Sequence, residues 1–251
     1  MLLGVFERVT QYDGRLFRTL RALALRPGQL ARDHYDGKRA RNVAPFELFV
    51  IFNIAGWLVA GHLHIGGFSM AMALKYALLK DHWPAVFAWR EAASGLPHDV
   101  FARRIESATD AVDKMGILFM VPLFALATSA VVANRRYRLV QHLIFSVHFY
   151  CIHLTTIVVG WGLFFIPWIR YFDAHPEATW GQWFGAFWST NWIQHLSVAP
   201  FLLPYLFFAL RRAYELDRPG AAWRAVLLTG IACALLRSFF DVSCALMLLL
   251  L

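Results

Sequence analysis

Charged residues are scarce in this chain. Lys, Arg, Asp and Glu together make up 16% of its 251 residues, against about 25% in an ordinary soluble domain. Acidic residues are fewer than basic ones, 16 against 24. Cysteine is also rare. Cys151, Cys233 and Cys244 all lie inside apolar runs, which excludes a disulfide scaffold and a zinc ribbon. The chain has no nucleophile elbow, Walker loop, Gly-x-Gly-x-x-Gly or His-Glu-x-x-His. Common hydrolase, nucleotide-binding and zinc-protease signatures are therefore missing. Internal repeats and low-complexity segments are absent too. Met1 to Arg8 has no basic stretch ahead of an apolar one and no Ala-x-Ala site, so a cleaved signal peptide is not expected.

What fills the space is apolar sequence. Apolar residues make up 59% and the mean hydropathy is +0.50, well above the soluble norm of about 45–50%. A membrane-spanning helix needs about 20 apolar residues. Five stretches qualify: Phe46 to about Leu63, Met115 to Ala133, His142 to Trp168, about Phe187 to Leu210, and about Ala225 to Leu251. The expected fold is an all-α polytopic bundle of five transmembrane helices. Residues 1–44 form a cytoplasmic amphipathic platform. Residues 45–251 form the spanning domain, with an exoplasmic helical insertion at 65–114.

The net charge of +8 fits this topology without a nucleic-acid partner. Arg15, Arg18, Arg21, Arg26, Lys38 and Arg39 precede the first span. Arg135, Arg136 and Arg138 follow the second, and Arg211, Arg212, Arg218 and Arg224 separate the fourth from the fifth. Five spans put all of these on one side, which the positive-inside rule makes cytoplasmic. The location expected is a membrane crossed several times, with the basic loops in the cytoplasm.

The first forty residues are amphipathic. Val5, Val9, Tyr12, Leu16, Leu20 and Leu23 recur at helical spacing, with Arg8, Arg15, Arg18 and Arg21 largely off that stripe. Such a helix suits the headgroup layer, with anionic lipid headgroups as partners. Pro27 suits the first turn of a second short helix and Gly37 its stop. In the outer segment, Phe68–Leu79 and Val100–Val112 read as helices separated by Pro84, Gly95 and Pro97. Trp161 to Trp192 is dense in aromatics and reads as an interfacial belt.

Three blocks of residues resemble a known family. One is Thr19-Leu20-Arg21-Ala22-Leu23 with Arg26-Pro27-Gly28, Tyr35-Asp36-Gly37-Lys38-Arg39 and Pro45-Phe46. Another includes Pro122-Leu123-Phe124, Arg135-Arg136-Tyr137 and Gln141-His142 through His148-Phe149. The third is Tyr205 with Leu210-Arg211-Arg212-Ala213-Tyr214. In order and spacing they resemble a family of small polytopic bacterial membrane proteins, domain of unknown function number 3667. The resemblance implies membrane location and a shared fold, and it implies no reaction. Gln141 stands where family members often show Glu.

Function must then be read from the polar residues inside the spans. Arg237 and Asp241 lie four apart in the last span, on one helix face. A charge at the centre of an inserted helix costs about 2.5–3.5 kcal/mol or more, so both should turn toward protein. Their face also carries the small residues Gly230, Ala234 and Ala245, which favour helix contacts. Other spans contribute Asn53, His153, Thr156 and His195. At ~1.5 Å per residue, His153, Arg237, His195 and Asp241 fall about 16–25 Å from the cytoplasmic ends. This predicts a polar layer near the midplane. Pro200 and Pro204 would free helix carbonyls beside it, as in many transporters.

The expectation is a non-enzymatic protein that binds or transports a small or lipidic molecule through that layer. Acid–base work by an Asp–Arg–His set stays open. One alternative is a structural or assembly factor that binds another membrane protein through its small-residue faces. Another is a haem or metal protein using His148, His153 and His195. No cofactor is predicted, since His148 and His153 sit about 140° apart around one helix.

Overall fold

The computed structural model describes residues 2–38, 41–62, 79, 81–159, 167, 170–171, 174–175 and 199–250. Every regular element among them is a helix. The elements run α1 (Leu2–Leu25), α2 (Gln29–Tyr35), α3 (Pro45–His62), α4 (Trp83–Ser94), α5 (His98–Val132), α6 (Leu139–Val159), α7 (Ala199–Ala213) and α8 (Arg218–Leu250).

Most apolar runs became helices where the composition placed them. The expected span at Phe46–Leu63 is α3. The span at Met115–Ala133 is the second half of α5, which continues the outer helix expected at Val100–Val112 without a break. The third run corresponds to α6 and the fifth to α8. Only part of the fourth, Ala199–Ala213, is described. Among the described residues, α6 (Leu139–Val159) and α8 (Arg218–Leu249) are long and apolar enough to cross a membrane. Pro45–Val59 and Leu118–Val132 are shorter apolar helices. The helix expected at Phe68–Leu79 lies outside the described residues apart from Leu79, which is in a turn. The aromatic stretch Trp161–Trp192 lies almost wholly outside them.

The chain divides into two compact units. The first is Met1–Gly56, Val121–Thr156 and Pro200–Gly230; the second is Trp57–Met120, Ile157–Ala199 and Ile231–Leu251.

In the first unit the core is aromatic. Phe124 and Phe149 stack at 4.4 Å, and Tyr150 meets Phe124 edge-on at 5.8 Å. Leu48, Leu202, Leu206 and Leu210 are fully buried with them. Gly28 is dictated twice over. Its φ of +79° is a left-handed value, which costs a side-chain-bearing residue about 1–2 kcal/mol. A Cβ there would also overlap the Ala209 carbonyl and lie 2.9 Å from Ala209 Cα. The backbone of the α1–α2 turn therefore lies directly on α7.

α3 is apolar on all sides, yet among its described side chains only Leu48 and Phe49 are deeply buried. Phe46, Val50, Ile54 and Trp57 face outward. α6 hides polar residues instead: His142, Ser146, His148 and His153 are buried, while Leu139, Val140 and Leu143 are exposed. Apolar outside and polar inside reverses the usual order of a water-soluble fold. The buried hydroxyls of Ser146 and Thr128 bond the carbonyls of His142 and Phe124 one turn back on their own helices, a local solution open to Ser and Thr.

The second unit has a smaller, mostly aliphatic and aromatic core. Phe87 of α4, Phe101, Ile105 and Ala108 of α5, and Cys244 and Met247 of α8 form it. The small-residue face expected on α8 is corrected here. Arg237 is buried, but Gly230, Ala234 and Ala245 are exposed. The buried positions are Ala221, Ala225, Leu228 and Thr229 in the first unit and Ala232, Ser243, Cys244 and Met247, with Arg237, in the second. Bulky Phe239 and Leu246 pack on the second core. The buried face of α8 is thus still rich in small residues, but they are not the ones expected.

Candidate ligand pocket

The N-terminal segment builds a pocket in the first unit. The steps are local. Thr19 on α1 is fully buried. Its hydroxyl donates to the Arg15 carbonyl (2.8 Å) and accepts from the Val43 N–H (3.0 Å). The Arg15 guanidinium donates to the Asn42 carbonyl at 2.9 Å. These bonds hold the 41–44 segment against α1.

α2 ends as its sequence predicts. Gly37 has φ +79°. Its N–H bonds the His34 carbonyl (3.2 Å), and the Lys38 N–H bonds the Asp33 carbonyl (2.8 Å). This is a Schellman close, which needs a left-handed residue where glycine stands. It turns the chain so that His34 and Lys38 border the same space.

That space is a pocket of about 140 Å³. Its polar lining is Arg15, His34, Lys38, Asn42 and, from α6, His148. The remaining lining, Leu30, Val43, Ala44 and Pro45, is apolar. The volume is close to that of an engineered cavity of roughly 150 Å³ that takes up benzene. Among the described residues, no carboxylate lines it. Asp36 reaches the Lys38 ammonium from outside at 3.6 Å, and Asp33 accepts from Asn42 Nδ2 at 3.5 Å and Gln29 Nε2 at 2.7 Å. Arg15 Nε is buried without a hydrogen-bond partner. Such groups are costly to leave unsatisfied.

Next to the pocket, three tyrosines meet. Tyr35, Tyr137 and Tyr214 have ring centroids 4.9–6.1 Å apart. Tyr35 donates to the Gln141 carbonyl at 2.7 Å, and Tyr214 Oη shares a hydrogen bond with His142 Nδ1 at 2.9 Å. Burial raises all three phenols above the ordinary tyrosine value, so they remain neutral near pH 7. Around them Glu215 pairs with Arg32 (2.7 Å) and Arg136 (2.9 Å). Arg212 donates to the Pro27 carbonyl and Arg224 to the Val131 carbonyl near the end of α5. The basic loop residues that read as topology signals thus also close helix ends and turns.

The predicted site residues fare differently. Of the six basic surface residues, Arg15 and Lys38 meet at the pocket. Arg18, Arg21 and Arg26 are exposed, with Arg26 beside a separate small cavity of about 10 Å³. Arg39 lies outside the described residues, as does His195. Asn53 and Thr156 use their side chains on the carbonyls of Phe49 and Ile152 in their own helices. His153 is buried, stacks on Phe149 at 5.9 Å and meets Tyr150 edge-on. Pro200 and Pro204 are exposed on α7.

In the second unit Arg237 is buried on α8. Asp241 Oδ1 accepts from the Trp83 indole N–H at 2.9 Å and from the Leu79 backbone N–H at 3.0 Å. Among the described residues, no group of three or more His, Cys, Asp or Glu is placed to hold a metal.

Sequence reasoning gave no role to His34, Asn42 or Trp83. The first two carry no permanent charge and lie outside the apolar runs, so composition does not mark them. The signal that marks them is position: both lie within three residues of Gly37 or of the Pro45 helix start, where the backbone is most constrained. Trp83 gives no signal, since its partner is 158 residues away.

No curated protein and no solved structure matches the chain. One family model does: residues 13–55 match the family described as "Protein of unknown function (DUF3667)". All the pocket's lining residues except His148 fall within that segment. Residues 13–55 are thus similar to the family that the chain's arginine and tyrosine blocks resemble.

Proposed function

We propose that this is a non-enzymatic, multi-pass membrane protein that binds a small or lipidic molecule at the pocket built by its N-terminal segment. In this reading it sits in a bacterial inner membrane, spans it five times and keeps its N-terminus in the cytoplasm. The observation that carries the reading is the basic pocket of about 140 Å³, lined almost wholly by the family segment. The outward apolar faces of α3 and α6 support the membrane setting. So do Phe17, Leu20 and Leu25, which are exposed on α1 beside Arg18 and Arg21. Apolar and cationic groups sharing a surface suit the headgroup layer.

Asp241 supports a different role for the last helix. Its bonds to Trp83 and Leu79 tie α8 to the segment before α4. They favour this carboxylate as a structural lock within the chain rather than a ligand site.

The test combines topology with binding. Reporter fusions at residues 134–138 and after Glu215 should report cytoplasm, and fusions at 94–98 and 175 the opposite side. The full chain purified in mild detergent should retain a small molecule that His34→Gln reduces. A chain recovered from the soluble fraction, or fusions all on one side, would sink the proposal.

A further inference from the structure

The chemistry of the pocket narrows its ligand. We infer that it takes a phosphate monoester or diester, held by Arg15, His34, Lys38, Asn42 and His148. This rests on the reading of the pocket as a ligand site and adds the class of ligand.

Five donor-bearing side chains from four parts of the chain line one space: α1, the end of α2 with the turn after it, the 41–44 segment, and α6. Two are permanent cations, and none of the lining groups is an acid. Arg15 offers a planar fork, and its buried Nε is without a hydrogen-bond partner. Lys38 is a mobile point charge at the rim, and its contact with Asp36, at 3.6 Å, is loose. Arginine forks and lysine charges are the usual partners of phosphate oxygens. The imidazoles and the Asn42 amide add donors that need no net charge. His148 is 5% exposed and lines the pocket from α6.

A carboxylate would offer two oxygens to this set, and a phosphate ester offers at least two non-bridging oxygens together with its ester oxygens. The apolar wall of Leu30, Val43, Ala44 and Pro45 suits the carbon side of an ester. A volume of about 140 Å³ has room for a headgroup but not for acyl chains. The source is either a phospholipid whose chains lie in the adjoining bilayer or a soluble phosphate ester.

The experiment uses the full-length protein in a non-ionic detergent. The probes are dihexanoyl phosphatidylglycerol, glycerol 3-phosphate, and dihexanoyl phosphatidylcholine as a zwitterionic comparison. Binding is read from thermal unfolding shifts and by titration. At least one anionic probe should bind, and phosphatidylcholine more weakly. Lys38→Gln and His34→Gln should each weaken binding about tenfold, with melting temperature without probe unchanged. Arg18→Gln, on the exposed face of α1, should bind like the parent. Binding of the lipid alone assigns the site to a headgroup; competition by glycerol 3-phosphate at similar concentration assigns it to a soluble ester.

The inference is overturned if neither anionic probe binds, if both pocket variants bind normally, or if Arg18→Gln loses as much as they do. A membrane-inserted chain that binds neither probe, yet releases some other molecule on His34→Gln, would leave the proposed function standing. The phosphate assignment alone would then fall.

Discussion

The two units of the molecule stabilise themselves differently. In the first, many polar contacts join residues far apart in the chain. Tyr35 reaches Gln141, His142 reaches Tyr214, and Glu215 gathers Arg32 and Arg136. In the second, the described core is apolar, and Asp241 binds both an indole and a backbone N–H. In the first unit the polar bonds are spread over several residues. A carboxylate with two partners on one oxygen concentrates the consequence. The first unit should therefore break at its backbone contacts and the second at a side chain.

The largest effect expected is at Gly28. Gly28→Ala meets both the left-handed φ and the Ala209 backbone, and should cost about 2–5 kcal/mol. Denaturant titration in detergent, or the folded fraction by size exclusion, would show it. Parent-like stability would mean that the α1–α2 turn does not rest on α7.

Asp241 comes next. Asp241→Leu removes the acceptor and should destabilise by about 2–3 kcal/mol. Asp241→Asn keeps an oxygen toward Trp83 and Leu79, so it should lose less than half as much. Trp83→Phe keeps an aromatic ring in the core but not the indole N–H, and should fall between them. If Asp241→Asn were as damaging as Asp241→Leu, the charge itself would matter and the lock would be the wrong description.

The tyrosine cluster predicts a pH effect. Burial raises the phenols of Tyr35, Tyr137 and Tyr214. A group that holds its proton more tightly when folded stabilises the fold below its unfolded value. That contribution is lost as pH rises from about 10 toward the raised folded value. Stability should fall in this alkaline window, and Tyr214→Phe should flatten the fall while costing about 1 kcal/mol at pH 7. A curve that is the same for parent and variant would remove the cluster from the account.

Glu215→Gln should matter least. Its carboxylate is about half exposed, and surface ion pairs are worth roughly 0–1 kcal/mol. A loss above 2 kcal/mol in the same denaturant titration would show that the ion pairs, rather than the rings, organise this end of the first unit.

Helix after helix was legible in the chain, because apolar run length and the glycine and proline stops are local properties. The α2 stop at Gly37 and the start of α3 at Pro45 needed no tertiary information. The candidate site was legible only in part. Arg15 and Lys38 stood out by charge, but charge could not separate them from Arg18 and Arg21, which share their helix or segment and face outward. Nor could periodicity choose the buried face of α8, where Phe239 and Leu246 pack while Ala234 and Ala245 do not.

The sequence by itself determined a helical, lipid-like chain with a basic N-terminal segment, since composition and spacing act within a few residues. Only the tertiary structure decided that Arg15, His34, Lys38, Asn42 and His148 line one pocket, and that Asp241 meets Trp83. Those meetings depend on which helix face turns inward, and that is settled by packing between segments as much as 158 residues apart.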